Sequence, residues 1–437
     1  MTLDSKHHIW YPYADMTKWN SSTTRIITKG RGFYLIDSEG RKYLDGVASM
    51  WCNVWGHGEK EIIREMKKQI NLLQHSTLFG LANKPSIELS VELLRLSKGM
   101  EQIFYSDNGS TAVEVAMKMA IQYYNNRGRP EKKHFVSLQN SYHGDTIGSM
   151  SVGYVPRYFS AYRPLLKRVT RFRTPSIMLD KSVSELDEIL EETESRLKKV
   201  SSKTCAIIME SGAQIAGGVR IYPQGYQKGI ADLCSKYGVL LILDEIATGF
   251  GRLGSMIEYL KQGSIPDIVC FGKALTAGYT PLAVTLTNSE IFRSFLDRGA
   301  KLYHGHTFCG HPIGCATAIA NLKLYRKRGL MRDISLKSRY MTKRLHEFQN
   351  SSAVINVRHQ GMLSGLDISK RGIDAIRKKT GEPVDSFIFK HAINSGVYLR
   401  PLGKTIVLIP PLAIDKENLE YIISVLHLII EKVERLL

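Results

Sequence analysis

The residues best suited to chemistry stand at the ends of apolar runs. The run VLLIL (239–243) has the character of a strand buried on both faces, and it stops in two adjacent carboxylates, Asp244 and Glu245. A carboxylate delivered to the end of a buried strand needs a strong partner, such as a bound cation or a protonated heterocycle, because an unpaired buried charge is costly. The plainer alternative is a helix cap or loop residue, which prevails for an arbitrary Asp and is the reading kept for Glu245. Twenty-nine residues beyond Asp244, a second apolar run, DIVCF, leads to Lys273, with Gly272, Ala274 and Ala277 beside it. Small neighbours leave room around the amine, and burial lowers its pKa, which suits a nucleophile that forms a Schiff base with a carbonyl. On successive strand ends, Asp244 and Lys273 are able to face one site.

A third element lies upstream, where Asn108, Gly109 and Ser110 fall between the strand-like IFYS and a helical stretch. Thr111 and Glu114 have the spacing of a capping box, so a helix is expected to start here. A helix N-terminus behind a glycine offers free amides and a positive dipole end to a phosphate, although an ordinary strand-to-helix turn has the same composition. Gly249 to Gly254 spells GxGxxG, but DEIAT separates it from the strand and no helical period follows. It is read as a glycine-rich loop, which leaves a nicotinamide-dependent oxidoreductase as the disfavoured alternative from another class.

The elements that must position these residues follow from periodicity. Between about 100 and 290, short β-rich runs (IFYS, HFVSL, CAIIME, VLLIL, DIVCF) alternate with helical ones. That alternation predicts an α/β fold with a mostly parallel central sheet covered by helices, whose ligands gather at the carboxyl ends of the strands. In the helix expected near 225–237, Tyr226, Ile230, Leu233 and Tyr237 share a face and Gly238 supplies the stop. At the start of the chain, GFYLIDSEGRKYLDGVAS reads as a hairpin turning at Ser38-Glu39-Gly40, and from Glu59 the spacing of Ile62, Met66, Ile70 and Leu73 predicts a helix. After about 325, helix-rich segments surround short strands. The expected division is an N-terminal segment, 1–58, joining a smaller α+β domain at 326–437, with a large domain at 59–325.

Composition narrows the function classes. With 437 residues, 43% of them apolar, and no apolar stretch near the roughly 20 residues that span a bilayer, no membrane-spanning protein is expected. The opening MTLDSKHHIWYPY lacks an apolar leader, and the six cysteines (52, 205, 234, 270, 309 and 315) include no CxxC pair or zinc spacing. A reduced, cytoplasmic setting without a metal site is expected. The formal charge of +19 is spread along the chain and mixed with acids, without a nucleic-acid-binding motif. It favours anionic small molecules over nucleic acid.

LLILDEIATGFGR followed by FGKALTAG resembles the class III aminotransferases, fold-type I enzymes that use pyridoxal 5′-phosphate, and the resemblance covers nearly the whole chain. HIWYPYADM, HSTLFG, AVEVAMKMA, NSYHGDTIGSMSVG, HGHTFCGHPIGCA and RPLGKTIVLIPPL are similar to the branch that aminates 8-amino-7-oxononanoate, with S-adenosylmethionine or lysine as donor. The resemblance implies that Lys273 holds the cofactor and acts as general base, that Asp244 pairs with the pyridine nitrogen, and that Tyr142 stacks on the ring. It also implies a phosphate cradle of Asn108, Gly109 and Ser110, completed by His306 and Thr307 with Gly305 from the neighbouring subunit of a homodimer. Arg400 is expected to grip the keto acid's carboxylate, with Tyr13, Met50, Trp51 and Asp145 near the substrates. Met50 stands where the family often has a first tryptophan, His306 where many members have proline, and ESGAQIAGG differs from the common EPxxQGxGG. Other class III ω-aminotransferases, acting on ornithine, 4-aminobutyrate or a diamine, share Lys273 and Asp244 and remain the nearest alternative.

Overall fold

Runs of β-branched and aliphatic residues become strands wherever both faces can be covered, and the computed structural model shows this most clearly at its centre. It describes residues 8–18, 25–177 and 186–437; residues 1–7, on which the reading of no leader partly rests, lie outside them. The chain begins with β1 (Ile27–Arg31), β2 (Tyr34–Asp37) and β3 (Lys42–Asp45), an antiparallel meander whose β2–β3 turn falls at the expected Ser38-Glu39-Gly40. Asp37 braces that turn by accepting the backbone N–H groups of Glu39 and Arg41.

The central sheet uses β4 (Gln102–Ser106), β5 (His134–Leu138), β6 (Thr170–Phe172) and β7 (Thr204–Glu210). A small antiparallel pair, β8 (Ala213–Gln214) and β9 (Arg220–Ile221), stands apart from it. The sheet continues with β10 (Leu240–Asp244), β11 (Ile268–Phe271) and β12 (Ala283–Thr287). Its order is β4-β12-β11-β10-β7-β5-β6, and only β12 runs antiparallel to its neighbours. Alternate residues of one strand serve opposite faces. Leu241 and Leu243 pack in the core that holds Tyr226, Ile230 and Leu233, whereas Leu240 and Ile242 pack with Ala112, Val113, Ala116 and Ala120 of the helix Gly109–Asn126. Covering both faces in this way stabilises each buried Leu or Ile by about 2 kcal/mol and leaves Asp244 almost no contact with bulk solvent.

The C-terminal part has β13 (Val354–Gln360), β14 (Leu363–Ile368), β15 (Val397–Tyr398) and β16 (Thr405–Leu408). β13, β14 and β16 form an antiparallel sheet, while β15 leaves it to pair in parallel with β3, matching Leu44 to Val397 and Asp45 to Tyr398. The first and last parts of the chain are thereby stitched together. The helix Pro312–Lys327 carries the chain across position 325 without a break. The helix Lys416–Glu434 closes the fold, with Leu419, Ile422, Ile423, Leu426, Ile429 and Ile430 buried along one face. No described helix is long and apolar enough to cross a membrane.

Two local expectations need correction. The capping box at the Gly109–Asn126 helix is formed by Asn108 and Thr111, not by Thr111 and Glu114. Asn108 has the extended backbone an N-cap requires, so the reciprocal pair begins there. Glu114, a turn further on, accepts instead from Gly148 N–H and Ser149 N–H and thus caps the helix Ile147–Val152. The helix after Glu59 spans Lys60–Leu72, but of its apolar spacing only Ile62 is fully buried; Ile70 is 53% exposed.

Candidate active site

β10 and β11 lie side by side in parallel, so residues just past their ends emerge on the same edge of the sheet. Asp244 and Lys273 both line a cavity of about 530 Å³ there, together with Asn108, Gly109, Ser110, Tyr142 and Trp51. Asp244 is almost wholly buried. Its Oδ1 accepts the Ile246 N–H at 2.9 Å and its Oδ2 lies 2.8 Å from His143 Nδ1. His143 is one partner of the buried carboxylate, and its Nε2 has none among the described residues.

Lys273 follows β11 after Gly272 and takes a positive φ of 45°, unusual for a residue with a side chain. Burial lowers its pKa from the ordinary lysine value, opposed by the carboxylates of Asp244 and Glu210. Its Nζ stands 4.9 Å from the centre of the Trp51 ring. A second strand-end carboxylate, Glu210 of β7, also lines the cavity. It accepts from Tyr142 N–H and Ile215 N–H, each at 3.1 Å, and burial raises its pKa to about 7. Tyr142 lies nearly parallel to Phe159 at 6.0 Å.

The helix Gly109–Asn126 starts at the cavity wall, where the first amides of a helix lack intrahelical partners. Close packing holds this corner. A side chain at Gly109 would approach Ile246 Cγ2 to 2.9 Å, and one at Gly144 would meet Ser110 Oγ at 2.0 Å. Ser110 Oγ in turn accepts the Asp145 N–H at 3.1 Å. Two further buried hydroxyls at the cavity, Thr248 Oγ1 and Thr280 Oγ1, have no partner among the described residues. Free amides and hydroxyls, a buried carboxylate and a confined amine together form a donor set matched to a phosphorylated heterocyclic aldehyde, so the residues present fit pyridoxal 5′-phosphate.

Tyr13, Asp145, Met50 and Arg400 form a second, more exposed group. The Tyr13 hydroxyl donates to Asp145 Oδ1 at 2.6 Å, and burial together with that acceptor raises the phenol's pKa. Arg400 lies over the Tyr13 ring at 5.7 Å and its Nη1 lies 3.3 Å from Met50 Sδ. Gly305, His306 and Thr307 do not line the Lys273 cavity of their own chain. They sit in an irregular segment where Gly305 and Thr307 are exposed and His306 Nε2 lies 3.2 Å from His304 Nε2. Around them Phe79, Tyr303 and Phe308 are exposed.

Sequence reasoning passed over Glu210 and His143. Glu210 carried the same signal as Asp244, a carboxylate closing an apolar run, whereas nothing in the spacing of His143 foretold its pairing with a residue 101 positions away. Glu245 accepts from Glu258 N–H and Tyr259 N–H at the start of the helix Glu258–Lys261 and from Ser211 Oγ. It therefore braces the glycine-rich loop, and GFGRLG folds as a series of turns.

The family model for aminotransferase class-III matches residues 16–430. The chain is 37% identical to an adenosylmethionine-8-amino-7-oxononanoate aminotransferase of Geobacter sulfurreducens, over 96% of this chain and 94% of the relative. The crystal structure of the enzyme of that same name from Methanocaldococcus jannaschii superposes with a TM-score of 0.89 at 38% identity, covering 97% of each chain. An omega transaminase from Pseudomonas jessenii, solved in complex with PMP, superposes with a TM-score of 0.90 at 26% identity over 98% of this chain and 97% of its own. The chain belongs to the class-III aminotransferase family.

Proposed function

We propose that this protein is a pyridoxal-phosphate-dependent aminotransferase that converts 8-amino-7-oxononanoate to 7,8-diaminononanoate in biotin biosynthesis, with S-adenosylmethionine as amino donor. The observation that carries the reading is the convergence of Lys273, Asp244 and the start of the helix Gly109–Asn126 on one cavity. The relatives named for this reaction, matched over nearly their full length, supply the substrate.

Lys273 would hold the cofactor through its amine, Asp244 would pair with its ring nitrogen, Tyr142 would flank the ring, and the Gly109 and Ser110 amides with Asn108 would receive the phosphate. When bound, the cofactor supplies an electron sink and carries the amino group between the two half-reactions. The chain's own residues do the rest. Burial lowers the pKa of Lys273 Nζ and so favours the neutral amine; once the donor amine has displaced it from the cofactor, this nitrogen can take the proton from the amine-bearing carbon of the donor and return one to the acceptor. His143 fixes Asp244 so that its carboxylate is oriented before any ligand arrives. Arg400 offers a forked pair of donors to the acceptor's carboxylate, next to Tyr13 and Asp145.

A cytoplasmic homodimer completes the proposal. Gly305, His306 and Thr307 of one protomer would reach the phosphate held by the other, and exposed Phe79, Tyr303 and Phe308 would become buried between the two. Residues 1–58 and 326–437 act as the small domain on 59–325, in line with the β3–β15 pairing.

The test is a half-reaction. Mixing the purified holoenzyme separately with S-adenosylmethionine, lysine, ornithine and glutamate, and following loss of the visible cofactor band, is expected to show conversion by S-adenosylmethionine. Conversion by lysine alone would replace the donor; conversion by glutamate alone would defeat the pathway assignment. In Arg400→Ala the KM for the keto acid should rise by roughly tenfold or more, while the donor half-reaction changes little.

A further inference from the structure

Between β3 and the cavity wall, the chain makes one turn of the wrong hand. Ala48, Ser49, Met50 and Trp51 all have positive φ, at 49°, 46°, 70° and 73°, and ψ is 53° at Ser49 and 48° at Met50. Left-handed backbone is disfavoured for L-residues, because Cβ approaches the following carbonyl oxygen, and glycine is its usual occupant. ASMW contains no glycine. Such a turn persists only where its surroundings over-determine it.

Asp45, at the end of β3 and fully buried, is that determinant. Its Oδ1 accepts the Ser49 N–H at 2.9 Å and its Oδ2 accepts the Ser49 hydroxyl at 2.7 Å, with His57 Nε2 3.2 Å from the same Oδ2. The turn is closed by Trp51 N–H donating to the Val47 carbonyl at 2.8 Å and Cys52 N–H to the Ala48 carbonyl at 3.0 Å. Its two outward side chains serve different parts of the site. Trp51 presents its ring to Lys273 Nζ, while Met50 presents its thioether to Arg400, which the β3–β15 pairing brings alongside.

We propose that Asp45 is a positioning residue whose buried carboxylate holds residues 48–51 in the left-handed turn, so that Trp51 stays on the Lys273 amine and Met50 on the Arg400 guanidinium. One turn thus couples the wall of the reacting centre to the grip on the acceptor. A right-handed or extended path from Asp45 would send these consecutive side chains in other directions. The functional half of the inference rests on the roles proposed above for Lys273 and Arg400, whereas the brace itself does not.

The test uses holoenzyme of the parent, Asp45→Ala, Ser49→Ala and Asp45→Ala/Ser49→Gly. Hydrogen exchange of peptides covering 46–55 should be roughly tenfold faster in Asp45→Ala, with exchange in the central strands unchanged, and about threefold faster in Ser49→Ala. kcat/KM for the keto acid should fall by roughly tenfold or more in Asp45→Ala, with a rise in KM. Adding Ser49→Gly should recover about a third or more of the lost efficiency on a logarithmic scale, because glycine adopts a φ near +46° without the Cβ penalty. Unchanged exchange over 46–55 in the single variants overturns the brace. Faster exchange with kcat/KM within about twofold of the parent overturns the positioning role. A double variant no better than Asp45→Ala overturns the account through backbone strain. Should Asp45→Ala fail to accumulate, exchange and KM of Ser49→Ala decide the matter by themselves. Faster exchange over 46–55 in the variants, with a parent that does not transaminate, would reject the functional reading and still support the brace.

Discussion

Glu245 predicts a pH dependence of stability that a single substitution should remove. The carboxyl is wholly enclosed, and burial raises its pKa to about 8, against the pull of the Glu258 and Tyr259 amides and the Ser211 hydroxyl. In the unfolded chain the same group titrates near 4.5. The native state therefore binds this proton more tightly than the unfolded state does. The stabilisation is fully present below about pH 4.5 and is lost as pH rises through about 8. Each pH interval of one between those two values is worth about 1.4 kcal/mol, so the whole span corresponds to about 5 kcal/mol, and the slope is steady between roughly pH 5 and 7.5. Glu245→Gln replaces the acid with a neutral group of nearly the same shape. Its fixed cost, one amide nitrogen facing the Glu258 N–H where an oxygen accepted it, does not vary with pH. Urea denaturation of parent and variant from pH 5 to 8.5 should give curves that differ in slope, the variant gaining relative stability as pH rises. Parallel curves, within about 0.5 kcal/mol of a constant offset across that range, would refute the reasoning.

Two other substitutions probe the cavity corner. Gly144→Ala places a methyl 2.0 Å from Ser110 Oγ at a φ of 126°, so the Tyr142–Asp145 segment and the helix start must separate. The expected cost is about 2–4 kcal/mol, read as a fall in retained cofactor after dialysis by tenfold or more; full retention would mean that the corner yields freely. His143→Leu leaves Asp244 Oδ2 without its partner in a buried setting. It should lower unfolding stability by about 1–3 kcal/mol in thermal or urea melts and reduce kcat, whereas unchanged values of both would show that Asp244 does not depend on His143.

Much of the site was legible before any fold was known, because its signals are local. A buried run that ends in a charge, as at Asp244 and Lys273, is anomalous in one dimension, and the anomaly survives folding unchanged: Asp244 is the last residue of one strand and Lys273 follows the end of its parallel neighbour. The same local logic located the helix after Ser106 but misassigned its cap. Asn108 and Thr111 compete as caps at nearly equal propensity, and the backbone at Asn108 decides. The hairpin at Ser38–Gly40 and the αL stop at Gly238 were similarly local.

By itself, the amino-acid sequence determined which residues carry charge and amine to the edge of a sheet, since alternation of apolar runs dictates strand and helix and burial dictates which charges are out of place. The tertiary structure alone decided how those groups are held. His143 meets Asp244 across 101 positions, Arg400 meets Met50 across 350, and β3 meets β15 only once the two ends of the chain are packed together. The left-handed turn at 48–51 is the sharpest instance. Local preference argues against it at all four residues, and it exists because a buried carboxylate and the surrounding walls outweigh that preference.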